Sequence, residues 1–458
     1  MFPRDPFAWE RRYWTAGARL RRRALREELR SVCARLSEPR LAALSRDLGL
    51  LATIKLLSRA GLPDPVAGHP SLRAWLFNAN HFADSAPLFA TPRDWEGWRL
   101  LLLQVHGFAL SASLIEGRRL ELVTLLDDRG HLHLPGLGLC LDAGARRRLT
   151  PIRLRVGSEG LLAARQGERP VLFPRKALLG RSAMARGDWR INPHPRISGE
   201  LEAMDCDPTI TVPLRIPRGP YEHALAILDP DAMNRYARGL RAAVGEIASV
   251  DPRLARDVTD EIRLVVPLKR ADRKVHVSST YEHLRGIIFL CHDPNPLVQA
   301  ETLVHEFSHN KLHDAIEIAP PFSQGPAPAH YYSPWRKDPR PLKGILLGAH
   351  AFTNVALFYA RSAHRRRGQR GAVLEDCRTE AARRLLQIER ALSVVQAHAS
   401  LTAAGRRLAA SLARSAGEIR ELLPPPPGSF WGAAEEPVEE HYRRYGTPEG
   451  LHKTGSPA

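Results

Sequence analysis

Residues 290–318 read LCHDPNPLVQAETLVHEFSHNKLHDAIEI and contain the pattern H-E-x-x-H. Apolar residues recur here at helical spacing, and Asn295 before a proline is typical of a helix start. Positions i and i+4 lie on one face of a helix, so His305 and His309 would direct two imidazole rings at one point. The stretch therefore predicts a helix with a divalent metal site, in which Glu306 flanks a metal-bound water or orients a ligand. The alternative is a helix with two satisfied surface histidines.

The patterns around this helix predict an α+β fold. Residues 1–120 show helical spacing and form a predicted N-terminal helical lobe, and 121–290 alternate with glycines as a β-rich region with loops and one helix. This region contributes a small central sheet, antiparallel or mixed. Residues 291–425 carry the H-E-x-x-H active-site helix followed by a C-terminal helical bundle. Residues 426–458 follow a proline run and are predicted to be a flexible tail.

The composition bounds the class of protein. A hydrophobic content of 44% in 458 residues excludes a disordered chain. The net charge of +18 favours anionic partners in general. The chain has no helix-turn-helix, zinc-finger or RNP pattern, so we interpret the arginines as solvated basic faces and not as a nucleic-acid site.

The cysteines and the N-terminus indicate the compartment. The five cysteines are far apart and form no C-x-x-C pair, which favours a reduced, cytoplasmic protein. The N-terminus lacks the apolar core of a signal peptide. The longest uncharged run, residues 100–115, is too short to span a bilayer, so we expect no membrane role.

A catalytic metal site needs a third protein ligand. The x-x-G-x-x-H continuation after His309 is absent. A glutamate on the same or a later helix, such as Glu317, Glu375 or Glu380, is possible but unmarked. We favour His350, because a polar side chain on a strongly apolar helix needs a partner. The alternative for His350 is a core histidine hydrogen-bonded to the backbone.

Other histidines carry weaker signals. His313 lies one turn beyond the motif, where a solvent-exposed side chain is favoured over a supporting role in the site. His131 and His133 share one face of a predicted strand and can bind a metal as a pair, but a half-exposed strand face is the preferred interpretation. Residues 205–207, Asp-Cys-Asp, are interpreted as an acidic loop.

Beyond the motif itself, the chain resembles a known family. Residues 303–312 (LVHEFSHNKL), 331–342 (YYSPWRKDPRPL), Gly344, Gly348 and 351–352 (AF) are similar to the HExxH-domain proteins of bacterial peptide natural-product (RiPP) clusters. That family is described as 2-oxoglutarate-dependent, iron-using peptide β-hydroxylases. The resemblance covers about residues 290–360 and is compatible with the helical N-terminal lobe.

The resemblance implies a cytoplasmic bacterial dioxygenase. It implies Fe(II) held by His305, His309 and a third residue, with 2-oxoglutarate and O2 as co-substrates. It also implies a ribosomal precursor peptide that is hydroxylated at Cβ. With iron, Glu306 would support the site or be a weak ligand; two histidines and one carboxylate are typical of Fe(II) oxygenases. Our assignment of His350 as the third ligand is added to what the family implies.

The carboxylate of 2-oxoglutarate needs a cation, preferably the fork of an arginine. We expect Arg336 first and Arg340 second, with Lys311 on the motif helix as the alternative. Three aromatic residues are expected to shape the substrate pocket, or else to pack a loop on the core: Tyr331, Tyr332 and Trp335.

Two other functions compete with the hydroxylase. If the metal is zinc, Glu306 is the general base of a metallopeptidase. If the motif is vestigial, the chain is a non-catalytic peptide-binding or scaffold protein.

Overall fold

The structure is a computed structural model. It describes residues 24–60, 62–85, 92–127, 129–144, 150–211, 225–270, 276–323, 329–369, 371–425 and 429–446. The helices are α1 (24–36), α2 (Pro39–Asp47), α3 (Leu50–Ala60), α4 (Asp64–Ala67), α5 (Pro70–Ser85), α6 (Pro92–Glu116), α7 (Arg175–Leu179), α8 (Pro208–Thr211), α9 (Pro230–Val250), α10 (Pro252–Glu261), α11 (Pro296–Ile318), α12 (Leu342–Arg365), α13 (Ala372–His398), α14 (Ala403–Leu422) and α15 (Ser429–Tyr445).

The strands form three small sheets. They are β1 (Leu120–Leu125), β2 (His131–Leu134), β3 (Leu139–Asp142), β4 (Pro151–Val156), β5 (Gly160–Arg165), β6 (Val171–Pro174), β7 (Met184–Arg186), β8 (Trp189–Pro193), β9 (Arg196–Ser198), β10 (Leu201–Ala203), β11 (Leu264–Pro267), β12 (Ser278–Ser279) and β13 (Ile287–Leu290). The orders β1-β4-β5-β6 and β2-β3-β8-β7 are antiparallel, and the order β12-β13-β11-β10-β9 is mixed. The mixture of helices and small sheets confirms the α+β prediction.

The chain clusters into two compact units. The sheet unit comprises the described residues of Leu20–Gly239 and Thr259–His292, and the helical unit comprises those of Leu240–Val258 and Asp293–Ala458. We predicted a boundary near residue 120, yet the N-terminal helices and the sheets share the sheet unit. The reason is α6, which packs its apolar side chains into the same core as the strands of two sheets.

Helix α6 is the core helix of the sheet unit. Within the described residues, its stretch Trp95–Glu116 has the length and composition of a membrane span, but 89% of the apolar window is buried inside the fold. Its Gln104 side chain donates to the His133 carbonyl at 2.9 Å. This bond fixes β2 against the helix, which positions a histidine discussed below.

Helix α11 begins as the sequence predicts. The Asn295 side chain accepts a hydrogen bond from the Leu297 N–H at 3.0 Å, and Pro296 occupies the first helical position. Helix α12 lies against α11: Asn354 donates to the hydroxyl of Ser308 at 3.0 Å. The motif helix is therefore held in register with the helix that carries His350.

The predicted flexible tail differs from the structure. Residues 429–445 form helix α15, and they are followed by one further described residue, Gly446. The buried residues Phe430, Ala434 and Val438 are spaced by one helical turn, so they give the segment an apolar face. Trp431 Nε1 also donates to the Pro424 carbonyl at 3.0 Å. The proline run before the helix conceals this periodicity in the sequence.

Candidate metal centre

The two motif histidines converge on one point. Their Nε2 atoms are 3.0 Å apart, and the rings are nearly perpendicular, at 85°. Two nitrogens that are each about 2.1 Å from a shared ion, at a right angle to one another, are about 3.0 Å apart. His305 and His309 therefore have the separation that a common metal ion requires.

Burial keeps both rings neutral. It lowers the pKa of His305 to about 3, with smaller contributions from the charges of Arg384 and His350. It also lowers the pKa of His309 well below its usual value, and His305, His313 and His350 act in the same direction. The neutral imidazole is the form that binds metals.

His350 and Glu306 are both buried in the helical unit. His350 is 1% exposed on α12, and its charge acts to lower the pKa of both motif histidines. Glu306 is 4% exposed on α11. The assignment of His350 as the third ligand stays a prediction.

An aromatic ring, Phe352 of α12, forms one wall of the site. Its centroid is 4.7 Å from that of His305 and 5.0 Å from that of Trp335. The Trp335 indole packs over Gly348, where an added Cβ would lie only 2.2 Å from the ring. Only glycine at this position allows the tryptophan to approach Phe352. Gly348 and Phe352, two residues that contribute to the family resemblance, therefore both position Trp335.

The predicted cations lie in different environments. Arg336 has a side chain that is 55% exposed, and its Nε is 3.4 Å from Asp338. Arg340 forms a 2.8 Å ion pair with the same carboxylate. Lys311 is buried, with its Nζ 5.7 Å from the centroid of the Phe307 ring. Their roles toward 2-oxoglutarate stay predictions.

Arg384 of α13 is a cation that sequence reasoning missed. Its guanidinium carbon is 4.5 Å from the centroid of Phe352, and its charge is felt by His305. It forms a 3.2 Å ion pair with Glu301 of the motif helix. Arginine recurs throughout α13, so its pattern gave no signal for this position.

The two predicted pocket tyrosines pack on the C-terminal helices. Tyr331 stacks on His398 with centroids 4.7 Å apart. The Tyr332 hydroxyl is 2.9 Å from Nδ1 of His441. The structure thus brings Trp335 into the group around Phe352, and both tyrosines contact the C-terminal helices; their role in a substrate pocket stays a prediction.

His313 differs from its expected exposure. We expected a solvent-exposed side chain, but it is 8% exposed. Most residues of α11 between 299 and 315 are buried, because the helix is enclosed on more than one face. His313 therefore contributes to the electrostatics around His309.

The sheet unit holds a second histidine group. His133, His194 and Cys206 are buried, and their ligand atoms all lie within 4.8 Å of one another. We interpreted His131 and His133 as a half-exposed strand face, but His133 is fully buried and belongs to this group, whereas His131 Nε2 lies 3.8 Å from Asp142. The three residues come from separate segments of the chain, so their spacing in the sequence did not predict a common site.

No protein-family model matches this chain, and no curated protein matches it. Its function must therefore be argued from the site.

Proposed function

We propose that the chain is an Fe(II)- and 2-oxoglutarate-dependent dioxygenase that hydroxylates Cβ of a residue in a ribosomally made precursor peptide. The observation that carries the proposal is the 3.0 Å separation of the His305 and His309 Nε2 atoms. That separation lets both nitrogens bind one divalent ion, and iron is among the metals that imidazole suits. The resemblance of residues 290–360 to peptide β-hydroxylases supports the same function.

Access to the pair supports a catalytic role over a purely structural one. His305 and His309 keep part of their surface in contact with solvent, although Glu306 and Ser308 on the same helix are buried. A catalytic metal keeps an open position for its substrates. Held by the two histidines and, as we propose, His350, iron would supply the activation of O2.

The charge around the pair suits an anionic co-substrate. Arg384 lies near His305, and its two terminal nitrogens already bond Gln387 at 3.1 Å and Glu301 at 3.2 Å. Its Nε is buried and has no hydrogen-bond partner within the described part of the chain. We propose that Arg384 assists Arg336, Arg340 or Lys311 in binding the carboxylates of 2-oxoglutarate.

The zinc metallopeptidase is the second candidate. It is favoured by Glu306, a buried carboxylate directly after His305, which would act as general base toward a zinc-bound water. A non-catalytic peptide-binding protein is the third hypothesis and predicts no metal dependence.

An anaerobic assay separates the three functions. The full chain is loaded with Fe(II) and 2-oxoglutarate, mixed with a candidate ribosomal precursor peptide, and then exposed to air. We expect succinate and a peptide mass gain of one oxygen atom. In a parallel reaction, zinc-loaded protein is incubated with labelled casein without O2 or 2-oxoglutarate.

The matched variants are Arg384→Lys and Arg420→Lys. Arg420 lies on α14 and pairs with Glu389, so its replacement leaves the site intact. Arg384→Lys should raise the KM for 2-oxoglutarate while iron binding is retained. Casein cleavage without O2 would show that the protein is a peptidase and not a hydroxylase. Peptide binding that does not depend on metal would favour the non-catalytic peptide-binding protein.

A further inference from the structure

The second histidine group has the geometry of a metal site. His133 lies on β2, His194 follows β8, and Cys206 follows β10. Cys206 Sγ is 3.4 Å from His194 Nε2, and the His133 and His194 rings stack with centroids 4.8 Å apart. A sulfur about 2.3 Å and a nitrogen about 2.1 Å from one tetrahedral ion are about 3.6 Å apart. The observed separation is close to that value.

A carboxylate can fix the orientation of the His194 ring. Glu202 Oε2 is 3.3 Å from Nδ1 of His194, on the side of the ring away from Cys206. Arg181 in turn pairs with Glu202 and donates to the Gly138 carbonyl. Metal-binding histidines typically donate their second N–H to such a carboxylate, which fixes the tautomer and the ring orientation. The arrangement leaves Nε2 of His194 directed at the centre of the group.

The remaining ligand atoms are buried and in need of a partner. His133 is fully buried, and its Nε2 has no hydrogen-bond partner within the described ranges of the chain. Asp207 Oδ2 lies 3.6 Å from that nitrogen. Cys140 pairs with His133 across the β2–β3 ladder and contacts Cys206. Asp207 and Cys140 thus each lie beside one member of the group.

We propose that the sheet unit binds a zinc-class ion at His133, His194 and Cys206, with Asp207 or Cys140 completing the coordination. Two imidazoles and a thiolate are ligands that zinc prefers. The ligands join the β2-β3-β8-β7 sheet to the segment after β10 of the mixed sheet, so the ion is structural. The proposal is independent of the activity of the motif site.

A thiol nucleophile is the competing interpretation, because Cys206, His194 and Glu202 also follow one another as nucleophile, base and orienting acid. The geometry favours the metal site. Cys206 is buried, which denies access to a substrate. A triad of Cys206, His194 and Glu202 would also give no role to the buried Nε2 atom of His133.

Cobalt substitution tests the proposal. In the full chain with His305→Ala and His309→Ala, which removes the motif site, we expect one Co(II) per chain and a near-ultraviolet thiolate-to-cobalt charge-transfer band. The motif histidines have no cysteine among their contacts named above, so the band reports the second site. Cys206→Ser should abolish the band. Cys33→Ser, a buried cysteine in the helical core of the same unit, is the matched control and should keep it.

A second measurement needs no change at Cys206, in case that variant does not fold. In the motif double variant, zinc should raise the thermal unfolding midpoint above that in EDTA and protect Cys206 from alkylation after mild denaturation. Absence of both the cobalt band and the thermal shift would overturn the proposal. Rapid alkylation of Cys206 in the native, zinc-loaded protein would instead establish the nucleophile.

Discussion

The two histidine groups of this protein are assembled in different ways. His305 and His309 are one turn apart on α11, with Nε2 atoms 3.0 Å apart. His133, His194 and Cys206 come from three segments of two sheets. Burial is the first cause that lowers the pKa of the motif histidines and of His133. Burial also opposes the charge of His194, but Cys206 and Glu202 raise its pKa above the usual range.

The difference shows which sites can be predicted from the spacing of residues in the sequence. A helix converts a separation of four residues into proximity on one face, so the motif pair is visible in the sequence. A sheet brings together residues whose separation depends on turns, register and strand order. The second group is therefore visible only after the fold is known, although its chemistry is the more distinctive of the two.

The largest expected effect is the loss of metal from one histidine group while the other group keeps its metal. His305→Ala should weaken metal binding at the motif by at least about 100-fold, more than the loss of a supporting group, and should abolish turnover. Metal at His133, His194 and Cys206 should remain. Equilibrium dialysis with metal analysis measures both. The control is His364→Ala, at the C-terminal end of α12, where full metal content is expected. If His305→Ala emptied both groups, their independence would be disproved.

The next effect concerns the second group alone. Glu202→Gln keeps the size of the side chain but removes the negative charge beside His194, so metal affinity there should fall about 10–100-fold. The motif site should not respond. Glu200→Gln is the matched control, because Glu200 is an exposed glutamate two residues earlier that pairs with Arg263. Equal losses in the two variants would show that general surface charge, and not the orientation of His194, controls binding.

Sequence reasoning was most successful where structure is local. The start of α11 at Asn295, the motif pair and the α+β class could all be predicted. It was less successful where packing decides: α15 was missed, and so was the burial of His313, because the sequence does not show that α11 is buried along most of its length. Arg384 could not be anticipated, because only the packing of α13 against Phe352 brings it to the site.

A smaller effect tests the wall of the motif site. Gly348→Ala would place a Cβ 2.2 Å from the Trp335 ring, so overpacking should cost about 1–3 kcal/mol of unfolding free energy. Gly417→Ala is the control, since α14 offers open space there and alanine should stabilise a helix by up to about 1 kcal/mol. Chemical denaturation measures both changes. A Gly348→Ala variant as stable as Gly417→Ala would mean that Trp335 does not depend on this close approach.

The last effect separates burial from metal binding. His106 is buried in α6 like His133 and His194 of the second group, and burial lowers its pKa to about 4, opposed by a backbone hydrogen bond to Gly49. Its unfolded pKa is about 6.5, so between these values the unfolded chain binds more protons than the folded one. Stability is therefore complete above about pH 6.5 and falls as the pH drops toward 4, by at most about 1.4 kcal/mol per pH unit.

His106→Leu should flatten this slope in denaturation curves recorded with EDTA, and the pH dependence of the two proteins should coincide above about pH 6.5. The chelator is essential, because metal release in acid would add its own loss of stability. A slope that is unchanged by His106→Leu would assign the acid sensitivity to other groups and not to burial of this imidazole.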